Sequence, residues 1–462
     1  MLLFVILGAK VIKRCKICKK KQSIFRILMY LCAQHKMTLH MNIRMSIILS
    51  TGIIMARYGY DEMNPTLWLI LLLVMTSMAI ILRKWIQSQC ILFYICLFLL
   101  GGLLTSYQEC RNRKPVTYFT MDELSEQDRF LTTAQERRTE IEQKLKGLGI
   151  ENEDFGVIAA MAMGDKTALD KDTKEVYSVA GASHVLAVSG LHISIIFQLL
   201  IMLLGGNRRH IFVILSALVA IWMYVLFIGM PASAVRSATM LSVYGFVTMT
   251  RRNKDSLRSL SITFTIMLLC NPLYLFDLSF QMSFAAVGSI IVFLPLLSSL
   301  YHPTHRLSQW IWGMLCVSAA AQIGTLPLIT YYFGRISCYS LLTTFIAIPA
   351  AMGILYLCCM LMLMSPFLLL SPTVSLFSWP ITWVAKALVV ITHFANTAFH
   401  LTSLAPGASI DGIHLPLPIL FIIYAALGLV YAGWIKMKRI RNKMARSQED
   451  FSPENALFTN YR

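Results

Sequence analysis

The chain has 462 residues, 57% of them hydrophobic and only 14% charged, with a mean hydropathy of +0.64; an ordinary soluble domain carries roughly 25% charged residues. These values exclude a soluble enzyme and place the chain among polytopic membrane proteins. The formal charge of +18 is unevenly spread: residues 1–60 hold 11 basic residues and no acid, residues 108–175 hold 15 of the 23 acids, and residues 176–448 hold only Asp255, Asp277 and Asp411 against 16 basic residues.

Residues 1–42 read as a basic cytoplasmic tail or an upstream extension, because the apolar stretches Leu2–Leu7 and Ile24–Cys32 are too short to span a bilayer core, which takes about 20 residues. Cys15 and Cys18 form a CxxC in this tail, with no second pair or His cluster to complete a metal site. Three membrane helices are expected within 43–107, with Arg83 and Lys84 in a cytoplasmic turn. Three crossings from a basic start put the charged segment 108–175 outside, where Gln135–Leu148 has apolar residues at helical spacing and reads as a small helical loop.

From 176 to 435 apolar segments recur at Val185–Leu204, Ile211–Ile228, Ala232–Thr248, Leu257–Leu275, Met282–Leu300, Ile311–Tyr332, Leu341–Met364, Val374–Ala398 and Leu417–Ile435. The expected fold class is therefore all-α, a polytopic integral membrane protein with about 12 hydrophobic segments and one small external helical loop. Basic groups at Arg208-Arg209, Arg251–Arg258, Arg306 and Lys436–Arg446 fall on alternate turns, which predicts both termini in the cytoplasm and a second basic tail at 436–462. Val374–Ala398, broken by Pro380 and carrying Lys386 and His393, has a second reading as an amphipathic interfacial helix.

Ionisable and hydrogen-bonding residues inside apolar helices are costly and mark cavities or paths. Four clusters qualify. In the first, which runs from Met163–Thr167 through Ala180–Ser194 (AGASHVLAVSGLHIS), small and hydroxyl residues interrupt an apolar run around His184, Ser189, Gly190 and His192. On an unbroken helix the two histidines share one general side, and Ser189 and His192 are neighbours at i and i+3. Two readings stay open for this cluster: a Ser–His nucleophile pair, which needs an oriented base, or a polar lining and helix-packing surface. The second cluster, Gly229–Ala238, places Arg236 about a turn inside a helix opened by Pro231; it either snorkels to an interface or lines a path for an anion, of which phosphate fits the guanidinium best. The third, Asn271–Gly288, carries Asp277, Ser279, Gln281 and Ser283 among aromatics after Pro272. The fourth, Ala321–Arg335, holds Gln322, Pro327 and the aromatics Tyr331 to Phe333; these either stack bases of a single strand or form an interfacial aromatic belt.

The run GDKTALDKDTKEVYSVAGASHVLAVSGLHISII (164–196) resembles the central signature of the ComEC competence-protein family. PASAVRSATM (231–240), NPLYLFDLSFQMSFAAVGSI (271–290) and AAQIGTLPLITYYFGRIS (320–337) resemble that family's later motifs in the same order. The resemblance implies that 176–435 is a competence-type channel domain of the bacterial inner membrane, passing single-stranded DNA into the cytoplasm during natural transformation with no catalysis, metal or cofactor of its own. It implies channel-lining roles for His184, Ser189, Gly190, His192, Arg236, Asp277, Gln281 and Gln322.

The partners implied are single-stranded DNA, membrane lipid, a separate DNA receptor, a cytoplasmic motor or single-strand-binding protein, and a second copy in a homodimer. Three departures stand out. Segment 108–175 is too short and too helical for the family's external oligonucleotide-binding-fold domain, and the HxHxDH motif of its metallo-β-lactamase-like domain does not occur. Thr344 also stands where the family's Asn is expected. The expectation is a core translocon in its short form, the alternatives being an intramembrane Ser/His hydrolase or a transporter of another anionic solute.

Overall fold

The computed structural model describes residues 39–59, 65–82, 86–113, 150, 152–165, 167–205, 211–249, 256–370 and 378–450. The tail before residue 39 and the helix expected over Gln135–Leu148 lie outside these residues. Contacts divide the chain into two compact units, one of residues 1–111 with 264–272, the other of 112–263 with 273–462.

The first unit contains α1 (Leu39–Tyr58), α2 (Pro65–Ile81) and α3 (Ile86–Arg113). In lipid, apolar side chains gain little by leaving solvent, so helices associate where small residues let backbones approach. Gly52 lies directly on the Phe98 carbonyl, and Gly101 on that of Leu49, so no side chain fits between α1 and α3. Trp68 of α2 covers Gly102 and packs with Ala56 and Leu99. Ser46 and Thr265 share a hydrogen bond of 3.0 Å in the same unit.

The second unit starts with α4 (Asn152–Ile158), which widens into a π turn over Ala159–Met163, and α5 (Lys171–Val179). After α6 (Gly190–Leu203), α7 (Ile211–Phe227) and α8 (Ala232–Met249) come α9 (Ser256–Cys270), whose last turns belong to the first unit, and a 3-10 turn at Pro272–Phe276. Next are α10 (Leu278–Ser298), α11 (Arg306–Phe333), α12 (Ser340–Leu370), α13 (Ser378–Ser403) and α14 (Leu417–Asp450). A two-stranded antiparallel ribbon, β1 (Arg335–Ser337) with β2 (Ser409–Asp411), pairs Arg335 with Asp411 and is the described exception to an all-α fold. One core joins α4, the π turn, α5, α12 and α13; another joins α6, α7 and α8, with Leu355 of α12 reaching it.

Where they are described, the expected apolar segments lie largely on helices, although Val185–Ser189 stays outside α6 and the start of Val374–Ala398, through Phe377, lies outside the described residues; the expected span count of about 12 is corrected. Among the described residues, six helices are long and apolar enough to cross a membrane: within α3 and α10 to α14. Four more are apolar but shorter, α2, α6, α7 and α9, while α1 and α8 carry Arg44 and Arg236. The shortening has a local cause. Gly181, Ser183 and Ser189 keep 180–189 out of the helix, leaving α6 with 14 residues, about 21 Å at 1.5 Å per residue against a core of about 30 Å.

Although the acids of 108–175 group that segment together by charge, Val157–Met163 is fully packed beneath α12 and α13. Here Tyr177 donates to Asn396 (2.6 Å), whose amide donates to Asp154 (2.7 Å), and His393 lies 3.7 Å from the same carboxylate. Burial pushes the Asp154 pKa up, opposed by His393 and the Asn396 hydrogen bond. A carboxyl raised in the folded state favours folding when protonated, and that contribution is lost as pH rises through the raised value. Asp154→Asn is therefore expected to raise the thermal midpoint of the purified protein at neutral pH. The gain should shrink as pH falls toward ordinary carboxylate values; a gain independent of pH would contradict this account.

Candidate channel site

The site is organised by α8. The preceding turn uses Gly229 and Met230, both with positive φ (83° and 55°), to reverse the chain out of α7. Pro231 then immediately precedes α8, where its missing N–H costs nothing and its carbonyl accepts from Ala234 and Val235 (2.9 and 3.1 Å). Ser233, Arg236 and Ser237, at i, i+3 and i+4, project from the same side of this helix to different neighbours.

Ser233 and Ser237 meet the first cluster. Ser233 donates to the Val188 carbonyl (2.5 Å), and a Cβ on Gly190 would lie 2.9 Å from the Ser237 hydroxyl, so glycine lets α6 begin against α8. Ser189 is the N-cap of α6, and its backbone N–H donates to Nδ1 of His192 (3.3 Å). In a neutral imidazole that assigns the remaining proton to Nε2. His192 is 0% exposed, and its Nε2 has no hydrogen-bond partner among the described residues. The lone pair a general base needs is thus turned to a backbone amide, away from the Ser189 hydroxyl. His184, expected to share a helix face with His192, instead sits exposed in the turn before α6. That expectation assumed an unbroken helix, which the small residues prevent.

Arg236 turns to the third cluster. It is 2% exposed and donates through Nη2 to Ser279 (2.9 Å) and Ser283 (3.4 Å). Asp277, the N-cap of α10, accepts the backbone N–H of Ser279 (3.2 Å) and lies 3.7 Å from Nη1, too far for a hydrogen bond. Nε and Nη1 of this buried cation are left without hydrogen bonds among the described residues. Arg236 therefore does not snorkel.

Gln281 donates to the Leu275 carbonyl (3.0 Å) and accepts from Tyr332 (3.0 Å), linking the third cluster to the fourth. Gln322 is half-buried on α11. On either side of it are Ala320, whose carbonyl accepts from Ser289 (2.6 Å), and Gly324, whose carbonyl accepts from Tyr424 (2.6 Å). Among the described residues, neither His184 nor Gln322 belongs to the hydrogen-bonded group around Arg236.

Arg335 closes the arrangement. It donates to Glu175 (2.8 Å), Ser178 (3.2 Å) and Asp411 (2.5 Å), and so ties α5 to the ribbon; the two carboxylates hold its pKa up. Ser337 and Thr343 bind the carbonyls of Val179 and Ala180 (both 2.8 Å), fixing the turn that leads into the first cluster.

Residues 161–437, more than half of the chain, match the family described as Competence protein. The chain belongs to the competence protein family. It is similar to ComE operon protein 3 of Bacillus subtilis (strain 168), 30% identical over 253 residues, which make up 52% of this chain and 30% of that protein. It is also similar to Recombination protein 2 of Haemophilus influenzae, 24% identical over 233 residues, 46% of this chain and 28% of that protein. The chain thus covers less than a third of the length of either relative. No solved structure matches it. The competence match begins inside the π turn and takes in all four clusters, so the hydrogen bonds that join them lie within the family's own region.

Residue types alone did not single out Asp154, Tyr177 and Asn396 as a group. An amide inside the apolar run of α13 was the available signal, since buried amides need partners.

Proposed function

We propose that this chain is the membrane channel of a DNA-uptake system, passing single-stranded DNA across the inner membrane into the cytoplasm during natural transformation. The observation that carries the reading is Arg236: a cation buried among membrane helices, held by two hydroxyls and a loosely placed carboxylate, with two donors free. A phosphate leaving water needs such donors, and a guanidinium supplies them in a fork that matches its oxygens. The broken helix before α6 supports the same reading, because irregular backbone at membrane depth is stable where it is buried in protein or lines a cavity. Family membership and the names of the two relatives agree with a role in competence and recombination.

In this reading the chain performs no chemistry of its own. No G-x-x-x-x-G-K-[ST] occurs in the sequence, so a cytoplasmic motor or single-strand-binding protein draws the strand inward and a separate receptor delivers it. Both termini lie in the cytoplasm, with the basic run Lys436–Arg446 in the second half of α14.

The direct test follows labelled DNA into the cytoplasm of a competent host with and without this gene. Normal entry in a deletion strain free of paralogues is the result that sinks the channel. Competition of uptake by small phosphates would favour the solute-transporter alternative. Ser189→Ala and His192→Ala separate a lining from a hydrolase. Each is expected to lower uptake about two- to tenfold, the scale of one hydrogen bond, whereas a nucleophile or base would take all activity with it.

A further inference from the structure

Arg236 and Asp277 do not form a settled ion pair. A well-made Arg–carboxylate pair is bidentate at roughly 2.7–2.9 Å, yet here the closest approach is 3.7 Å and two guanidinium donors stay free. The two partners also differ in access: Arg236 has 3% of its side chain exposed and Asp277 has 38%. Ser279, which binds Nη2, is exposed as well. The carboxylate is therefore the accessible partner of the two and the cation the buried one. Asp277 in addition occupies the N-terminus of a 21-residue helix, taking the Ser279 backbone N–H that an incoming anion would use.

We propose that Asp277 is an exchangeable counter-ion, and that a phosphate group takes its place against Arg236 and the first turn of α10. Swinging Asp277 outward opens the route from the exposed side. The arriving oxygens then accept from Nε and Nη1, and from the Ser279 N–H that Asp277 releases. Between phosphates the carboxylate returns and balances the cation, so the site rests closed. The proposal rests on the channel reading for its physiological ligand, and on the geometry alone for the anion seat.

The test uses the full-length protein in maltoside micelles, where no lipid phosphate competes. The rise of the thermal midpoint with concentration gives the affinity for each of three probes: inorganic phosphate, dimethyl phosphate and a short oligothymidylate. Asp277→Asn keeps the N-cap, which Asn serves as well as Asp, and removes the competing charge; it should tighten binding about tenfold. Arg236→Gln should abolish binding. Arg236→Lys, which keeps the charge without the fork, should weaken it about tenfold and serves if the Gln variant does not fold. An Asp277→Asn affinity equal to or weaker than that of the unaltered protein overturns the proposal, as does an affinity that ignores both Arg236 variants. If inorganic phosphate alone responds to the substitutions, the seat stands and the single-strand channel reading falls. If all three probes respond, both stand.

Discussion

Arg236→Gln is expected to lower natural transformation at least about a hundredfold while leaving normal amounts of protein in the membrane. The size follows from two charge-assisted hydrogen bonds to phosphate, each worth about 1.5–3 kcal/mol, that no neutral side chain replaces. Stability should suffer less than for most buried arginines. The partner left behind, Asp277, is 38% exposed and can be hydrated in place, so the penalty of an unpaired buried charge is largely avoided. Arg236→Lys should fall between the two, because an ammonium keeps the charge but loses the planar fork. Transformation frequency together with immunoblotting of membranes makes the comparison. A frequency within about threefold of the unaltered strain, at normal abundance, would show that the guanidinium is structural and remove the main support for the channel reading.

Gly324→Ala is expected to cost about 1–3 kcal/mol through overpacking, an unusual toll for one methyl group in a helix, where alanine ordinarily stabilises. A Cβ there would sit 2.5 Å from the Cβ of Ser289 and 2.6 Å from the carbonyl oxygen of Ala285. Neither atom can turn aside, because both belong to the backbone of α10 or are fixed to it. Relief requires α10 and α11 to move apart, which strains the Ser289 bond to Ala320 and the Tyr424 bond to Gly324. Gly428→Ala on α14 is the control, since nothing lies within 4 Å of its Cβ. Thermal unfolding of the purified variants should separate them clearly. Equal midpoints would mean that the α10–α11 crossing is looser than described.

Both predictions concern residues visible in the sequence, yet neither effect is. Arg236 stood out because an apolar helix seldom tolerates a charge, and Asp277 because it interrupts a run of aromatics. That the two face each other depends on α8 packing against the start of α10, which no local pattern encodes. The serines were legible as a polar stripe but not as donors and acceptors with assigned partners. For His192 the sequence left open a base or a lining. The 3.3 Å bond from the Ser189 amide to Nδ1 decides which nitrogen is engaged, and it exists because Ser189 is an N-cap, not a member of the helix. His184 was misplaced for the same reason.

The sequence by itself determined the membrane class, the apolar segments, the four polar interruptions and the family. Those properties follow from hydropathy and short-range order, which act within a few residues. The tertiary structure alone decided which of the eight candidates meet, and that Asp154 finds Asn396 from 242 positions away. A buried polar group must find its partner wherever the packing brings one, and that choice is made between helices.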